Sequence, residues 1–160
     1  MVAGAGSPPG SAERRLLELG IQVPDPPSPF GSYVEASHGY LLFLSGMLPV
    51  ADHKPKNIGR LGREIDAEAG RDAVRTAALS MLAAAKKHLG SLDRIARVVR
   101  LGVFMATSGD FFGPATSRRR CIGSLPQHLG SDKLAVRLVI GVANMPLGMP
   151  IELEIIFKVA

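Results

Sequence analysis

The chain has 160 residues, 46% of them hydrophobic and 21% charged, with a formal net charge of +5. That length and apolar content suit one domain with a real core and exclude wholesale disorder. No apolar run approaches the ~20 residues of a bilayer-crossing helix, and one cysteine (Cys121) with four scattered histidines (His38, His53, His88, His128) excludes a disulfide framework and predicts no metal site.

Residues 1–12, rich in Gly, Pro, Ser and Ala, read as a disordered segment ahead of a single domain over 13–160. They lack the basic and apolar stretches of a secretory signal, so a cytoplasmic protein is expected. Ala12 to Leu19 reads as a short helix stopped by Gly20, and Pro24-Asp-Pro-Pro-Ser-Pro29 as an extended connector. Ser32–Ala36 and Tyr40–Gly46 read as two strands of a hairpin turning at Ser37-His38-Gly39. Ser45 and Gly46 then sit at a strand terminus, where a hydroxyl and an approachable backbone N–H are available; a plain strand-to-loop transition reads the same way.

Residues 50–65 read as a loop carrying Lys54, Lys56, Arg60 and Arg63. Asp66 is the expected N-cap of a long helix reaching Leu89, with an alanine-rich apolar stripe and Gly90 as its stop. Such a helix packs closely on a sheet and carries no site of its own. A strand is expected from Ile95 to Thr107, with Arg97, Val99 and Leu101 alternating against Val98, Arg100, Gly102 and Phe104. The block 110–130 has room for a second helix, although Gly113, Pro114, Gly123 and Pro126 each disfavour one. Its run Arg118-Arg119-Arg120 is the densest basic stretch; a solvated face explains it, and no Trp with only two Tyr argues against a base-stacking RNA surface.

The last segment reads as two strands, Leu134–Ala143 and Ile151–Val159, joined by a short loop into a hairpin. Alternation assigns Leu134, Val136, Leu138, Ile140 and Val142 to the core face of the first, leaving Arg137, Val139 and Gly141 on the other. In the second, Ile151, Leu153, Ile155, Phe157 and Val159 line the core, with Glu152, Glu154, Ile156 and Lys158 opposite. A face mixing single charges with Val, Gly and Ile is too apolar for open water, so something covers it. If the cover is another subunit, Arg137 can clamp a ligand carboxylate, with Glu152 or Glu154 as base or orienter. If not, the arginine and a glutamate form a structural cross-strand ion pair. The element order, hairpin, helix, strand, helix, hairpin, gives an α+β sandwich with two helices on one sheet face.

Tyr33-Val34, Leu42-Phe43-Leu44-Ser45-Gly46-Met47-Leu48-Pro49, Arg137-Leu-Val-Ile-Gly-Val-Ala143-Asn-Met-Pro146 and Pro150-Ile-Glu152-Leu-Glu154 together resemble the RidA (YjgF) family, also called L-PSP endoribonucleases. Glu13-Arg-Arg-Leu-Leu-Glu-Leu-Gly-Ile-Gln-Val-Pro24 is similar to its longer, endoribonuclease-like branch. The resemblance implies a chorismate-mutase-like α+β fold whose sheets close a barrel in a homotrimer, with pockets at the subunit interfaces and no cofactor. It also implies a hydrolase: an enamine/imine deaminase converting 2-aminoacrylate, or its tautomer 2-iminopropanoate, to a 2-oxo acid and ammonia. Carried over residue by residue, Arg137 binds the substrate carboxylate, Glu152 is the pocket carboxylate, and Tyr33, Ser45 and Gly46 complete the substrate site. Val139 stands where relatives can have Cys, so Cys121 inherits no role, and Arg119 falls near the family's second-helix Asn, where it favours a larger or more anionic ligand. Two other functions fit the same family: RNA cleavage or binding, and a non-catalytic trimer that senses a small carboxylate metabolite. No membrane partner is implied.

Overall fold

The computed structural model describes residues 11–28, 36–51, 54–109 and 136–160. Helix α1 spans Ala12–Glu18, and Ser11 caps it by accepting the Arg14 N–H. Gly20, at φ 64°, ends the turn that follows. Residue 12 therefore belongs to the folded domain. The Ser32–Glu35 part of the expected first strand, and the whole expected helix in 110–130, lie outside the described residues.

Strand β1 (Ala36–His38) and β2 (Leu41–Met47) form the expected hairpin, with the turn shifted to Gly39-Tyr40. The chain then makes a two-stranded ribbon, β3 (Val50–Ala51) with β4 (Lys54–Pro55), inside the segment read as loop. Helix α2 spans Ala67–Leu89 with the expected caps: the Asp66 carboxylate accepts the N–H groups of Glu68 and Ala69, and Gly90, at φ 78°, donates to the Lys86 carbonyl. Its buried stripe of Ala73, Val74, Ala77, Met81, Ala84 and Ala85 packs over β2 and the C-terminal strand Ile151–Val159, and the small side chains permit that close approach.

A turn of 3-10 helix, Leu92–Arg94, leads into β5 (Ile95–Ala106). Strands β6 (Val136–Val142) and β7 (Ile151–Val159) follow. The expected hairpin of β6 with β7 does not form. The sheet order is β1-β2-β7-β5-β6, with β7 antiparallel to both neighbours and β6 parallel to β5. The intervening residues carry Leu147 and Gly148 at positive φ and return the chain to the far side of β5.

This pairing also reverses the expected faces of β6. Leu101, in the core, aligns with Arg137 and Val103 with Val139, so Arg137 and Val139 share the core-side face. Val136, Leu138 and Ile140 instead turn outward and are 76%, 40% and 39% exposed. Both faces of β6 carry apolar side chains, and a one-residue choice of phase exchanges them all. The outer face of the sheet is thereby apolar across much of its width: Phe43 on β2, Ile156 on β7 and Val136 on β6 lie in one row with Arg100.

The core beneath α2 is built from Leu42, Leu44, Val103, Met105, Leu153, Ile155 and Phe157. Glu13 ties α1 to this body. Its carboxylate accepts from Lys86 Nζ at 3.0 Å, Ser91 Oγ at 3.2 Å and the Leu92 N–H at 3.1 Å. Burial pushes its pKa up, but the donors from Lys86 and Leu92 outweigh that and hold it below the ordinary 4.5. Its stabilising contribution is therefore present above pH 4.5 and is lost as the pH falls through the depressed folded value. Glu13→Gln is expected to cost about 1–2 kcal/mol near neutral pH, since hydrogen bonds to a charged group are worth more than neutral ones. Melts across pH check this: a deficit that persists unchanged in acid would contradict it.

Candidate active site

Glu152 is the second residue of β7, and its outward side chain lies across β2 at an irregularity between Leu44 and Met47. The irregularity contains Ser45 and Gly46, which thus sit inside the strand and not at its end. Strand irregularities of this kind re-aim side chains beside functional sites. A Cβ added to Gly46 would overlap the carboxyl of Glu152 and approach its Cγ to 2.9 Å. Glycine at 46 is therefore the condition for Glu152 to occupy its seat. Phe104 aligns with Glu152 from β5 and adds an apolar neighbour.

The Glu152 carboxyl is half-buried and has no hydrogen-bond partner among the described residues. Burial raises its pKa above the ordinary 4.5. For an acid this means the folded state prefers the protonated form, so the stability tied to Glu152 is fully present below pH 4.5 and is lost as the pH rises through the elevated folded value. Glu152→Gln is accordingly expected to raise the melting temperature at about pH 7 and to give no gain at about pH 4. An equal shift at both pH values would count against this electrostatic account.

Glu154, two residues on, is engaged differently. Its Oε2 lies 3.8 Å from Nη2 of Arg100, with the two side chains 38% and 43% exposed respectively. Gly102 lies beneath it, and a Cβ there would meet Oε2 at 2.9 Å. Arg137 pairs with neither glutamate. It stands exposed on β6, with no ion pair among the described residues, and β5 lies between it and β7. Arg137 faces the core side of the sheet and Glu152 the opposite side, so one chain does not bring them together. The structural cross-strand ion pair between them is absent.

Gly46 and Glu152 are thus brought into contact, whereas Glu154 is held by Arg100 and Arg137 stands apart. Tyr33, Arg119 and the side chain of Ser45 lie outside what the structure describes. The sequence reading overlooked Arg100 and Phe104 as neighbours of the glutamates. Their alternation along β5 was visible, but that β5 lies beside β7 was not. Among the described residues no three His, Cys, Asp or Glu side chains gather as metal ligands, and no helix is long and apolar enough to cross a membrane.

Comparison with known proteins agrees with this architecture. Protein TCP17 of Trypanosoma cruzi is 31% identical over 147 residues, covering 91% of this chain and 92% of its own. A structure of a protein of unknown function from Agrobacterium tumefaciens superposes with a TM-score of 0.80 at 29% identity, covering 93% of this chain and 92% of that one. A Shewanella oneidensis protein described as a candidate endoribonuclease shares the fold with a TM-score of 0.85 at 22% identity, over 94% of this chain and all of its own. The sequence profile of the family Endoribonuclease L-PSP matches residues 23–159. With its α+β, chorismate-mutase-like fold, the chain belongs to that family, the RidA (YjgF) proteins.

Proposed function

We propose that the protein is a hydrolase of small 2-imino acids, releasing the 2-oxo acid and ammonia, and that it works as a homotrimer. The observation that carries this reading is the seat of Glu152: a half-buried carboxyl of raised pKa, without a hydrogen-bond partner among the described residues, held over a glycine. A carboxyl in that state suits proton exchange with a bound water. The separation of Arg137 from Glu152 supports assembly, because only a neighbouring copy can supply the arginine that one chain keeps on its other face.

In this reading Arg137 of one copy grips the substrate carboxylate through two parallel N–H···O bonds, which fixes the C2 carbon near Glu152 of its neighbour. Water adds to C2 of the protonated imine while Glu152 takes its proton. The carboxyl then returns that proton to the amino group. As the C–N bond breaks, the carboxylate takes the remaining hydroxyl proton, so the carbonyl of the 2-oxo acid forms, and the departing ammonia carries that proton away as ammonium. No electron transfer or covalent enzyme intermediate enters, and the residues need only position the substrate and pass the two protons of water to the leaving nitrogen. Phe43, 47% exposed on β2, and Val136, Leu138 and Ile140 on the edge strand β6 are the apolar side chains of the outer face expected to be covered in the trimer.

The test couples a PLP-dependent serine or threonine dehydratase to the protein and follows 2-oxo acid release, with assembly measured by sedimentation. Faster release than in buffer supports the proposal. An assembled protein that leaves the rate unchanged ends it, and thermal stabilisation by pyruvate under those conditions would assign a sensing role instead.

A further inference from the structure

Strict alternation along β5 puts Arg97 and Arg100 on opposite faces of the sheet, because they are three residues apart. The strand does not alternate strictly. Arg97 aligns with Lys158 of β7 and Arg100 with Ile156, so three steps on β5 are matched to two on β7. The extra residue is a bulge around Val98–Val99, and it returns both arginines to the outer face in consecutive rows.

Lys158 lies directly across from Arg97 on that same face. Two cations facing each other across neighbouring strands repel, and the pairing is unfavourable unless something else offsets it. Neither has an ion pair among the described residues, and both are exposed. The third cation, Arg100, meets Glu154 at 3.8 Å and no other carboxylate among the described residues. Strand spacing and rise place the three cations within roughly 5 by 7 Å. That footprint matches one tetrahedral oxyanion, a single phosphate group.

We propose that Arg97, Arg100 and Lys158 form an oxyanion site for a phosphate group, built by the β5 bulge. Arg97 and Lys158 supply the unneutralised charge, and Arg100 contributes a guanidinium that Glu154 holds in orientation. The site is distinct from the imine site: Lys158 and Glu152 lie at opposite ends of β7, roughly 20 Å apart at the usual strand rise. It does not depend on the deaminase reading, and it lies at the end of the sheet, with Arg97 third in β5 and Lys158 next to last in β7, so its mouth stays open at the rim when assembly covers the rows of Leu138 and Ile140. Phosphate of a small metabolite and phosphate of an RNA backbone present the same chemistry, and the experiment separates them.

Thermal melts of the full chain with pyrophosphate, against sodium chloride at matched ionic strength, read the site directly. Pyrophosphate is expected to raise the melting temperature by several degrees where chloride does not. Arg97→Gln and Lys158→Gln are each expected to melt higher than the parent without anion, since repulsion is relieved, and to lose most of the pyrophosphate response. A parallel titration with a short oligouridylate identifies the source. If the oligonucleotide binds through the same two residues and pyrophosphate gives no shift, the phosphate is that of RNA. Chloride reproducing the rise, both variants retaining it, or neither phosphate compound acting through these residues would each overturn the proposal.

Discussion

Arg137→Lys is expected to lower kcat/KM for a carboxylate-bearing imine by about 10- to 100-fold, the worth of one charge-assisted hydrogen bond or a little more. Lysine keeps the charge but loses the planar fork that grips both carboxylate oxygens and fixes the reacting carbon. Arg137→Ala should lose at least as much. The melts of both variants should stay close to that of the parent, because Arg137 is exposed on its strand and pairs with neither Glu152 nor Glu154. A structural role predicts the reverse pattern: stranding one member of a buried ion pair costs roughly 3–5 kcal/mol and appears in the melt. Rates from the coupled dehydratase assay and melts on the same preparations decide the matter. Unchanged turnover in Arg137→Ala removes the arginine from the chemistry.

Gly46→Ala is expected to abolish most turnover while costing little stability. The new methyl group would occupy the space of the Glu152 carboxyl, and the displaced atoms lie at the end of a flexible side chain, which can swing away. The fold therefore tolerates the change, but the carboxyl leaves the position from which it handles water. The expected loss is about 100-fold, the scale of a removed general acid–base group. The decisive control is the double variant. In a Glu152→Ala background the added methyl displaces nothing, so Gly46→Ala should have no further effect on rate. If the two losses multiply, Gly46 acts by some other route.

Much of the fold was legible because local rules and tertiary structure agree. Asp66, the alanine stripe and Gly90 specify α2 from its own sequence, since capping and helical periodicity are short-range properties. Strand identities were equally local. Strand neighbours were not: β6 and β7 are close in sequence and carry compatible patterns, yet β7 lies between β2 and β5. The two apolar faces of β6 left its phase undecided, and the chosen phase put Arg137 on the wrong side.

The candidate site divides along the same line. Strand alternation picked out Glu152, a strand's end picked out Gly46, and the resemblance put both in one site; their contact is a consequence of long-range pairing between β2 and β7. The basic cluster at Arg97, Arg100 and Lys158 was invisible to alternation, because a bulge breaks the very periodicity used to assign faces. Periodic reading fails where a strand departs from its period, and bulges tend to lie near functional sites.

Strand β6 occupies one edge of the sheet, and its outward side chains Val136, Leu138 and Ile140 are all β-forming or large apolar residues. Among the described residues no strand pairs with its outer side, so the edge offers a row of backbone donors and acceptors flanked by sticky side chains, with one arginine as the only charge on the strand. In the proposed trimer, a freshly made chain carries a hazard until it meets its partner copies: at low abundance it remains alone with that edge exposed, and under heat or crowded synthesis the same edge recruits the wrong neighbours. On that proposal, its lifetime is governed as much by how many copies are present as by how well any single copy folds.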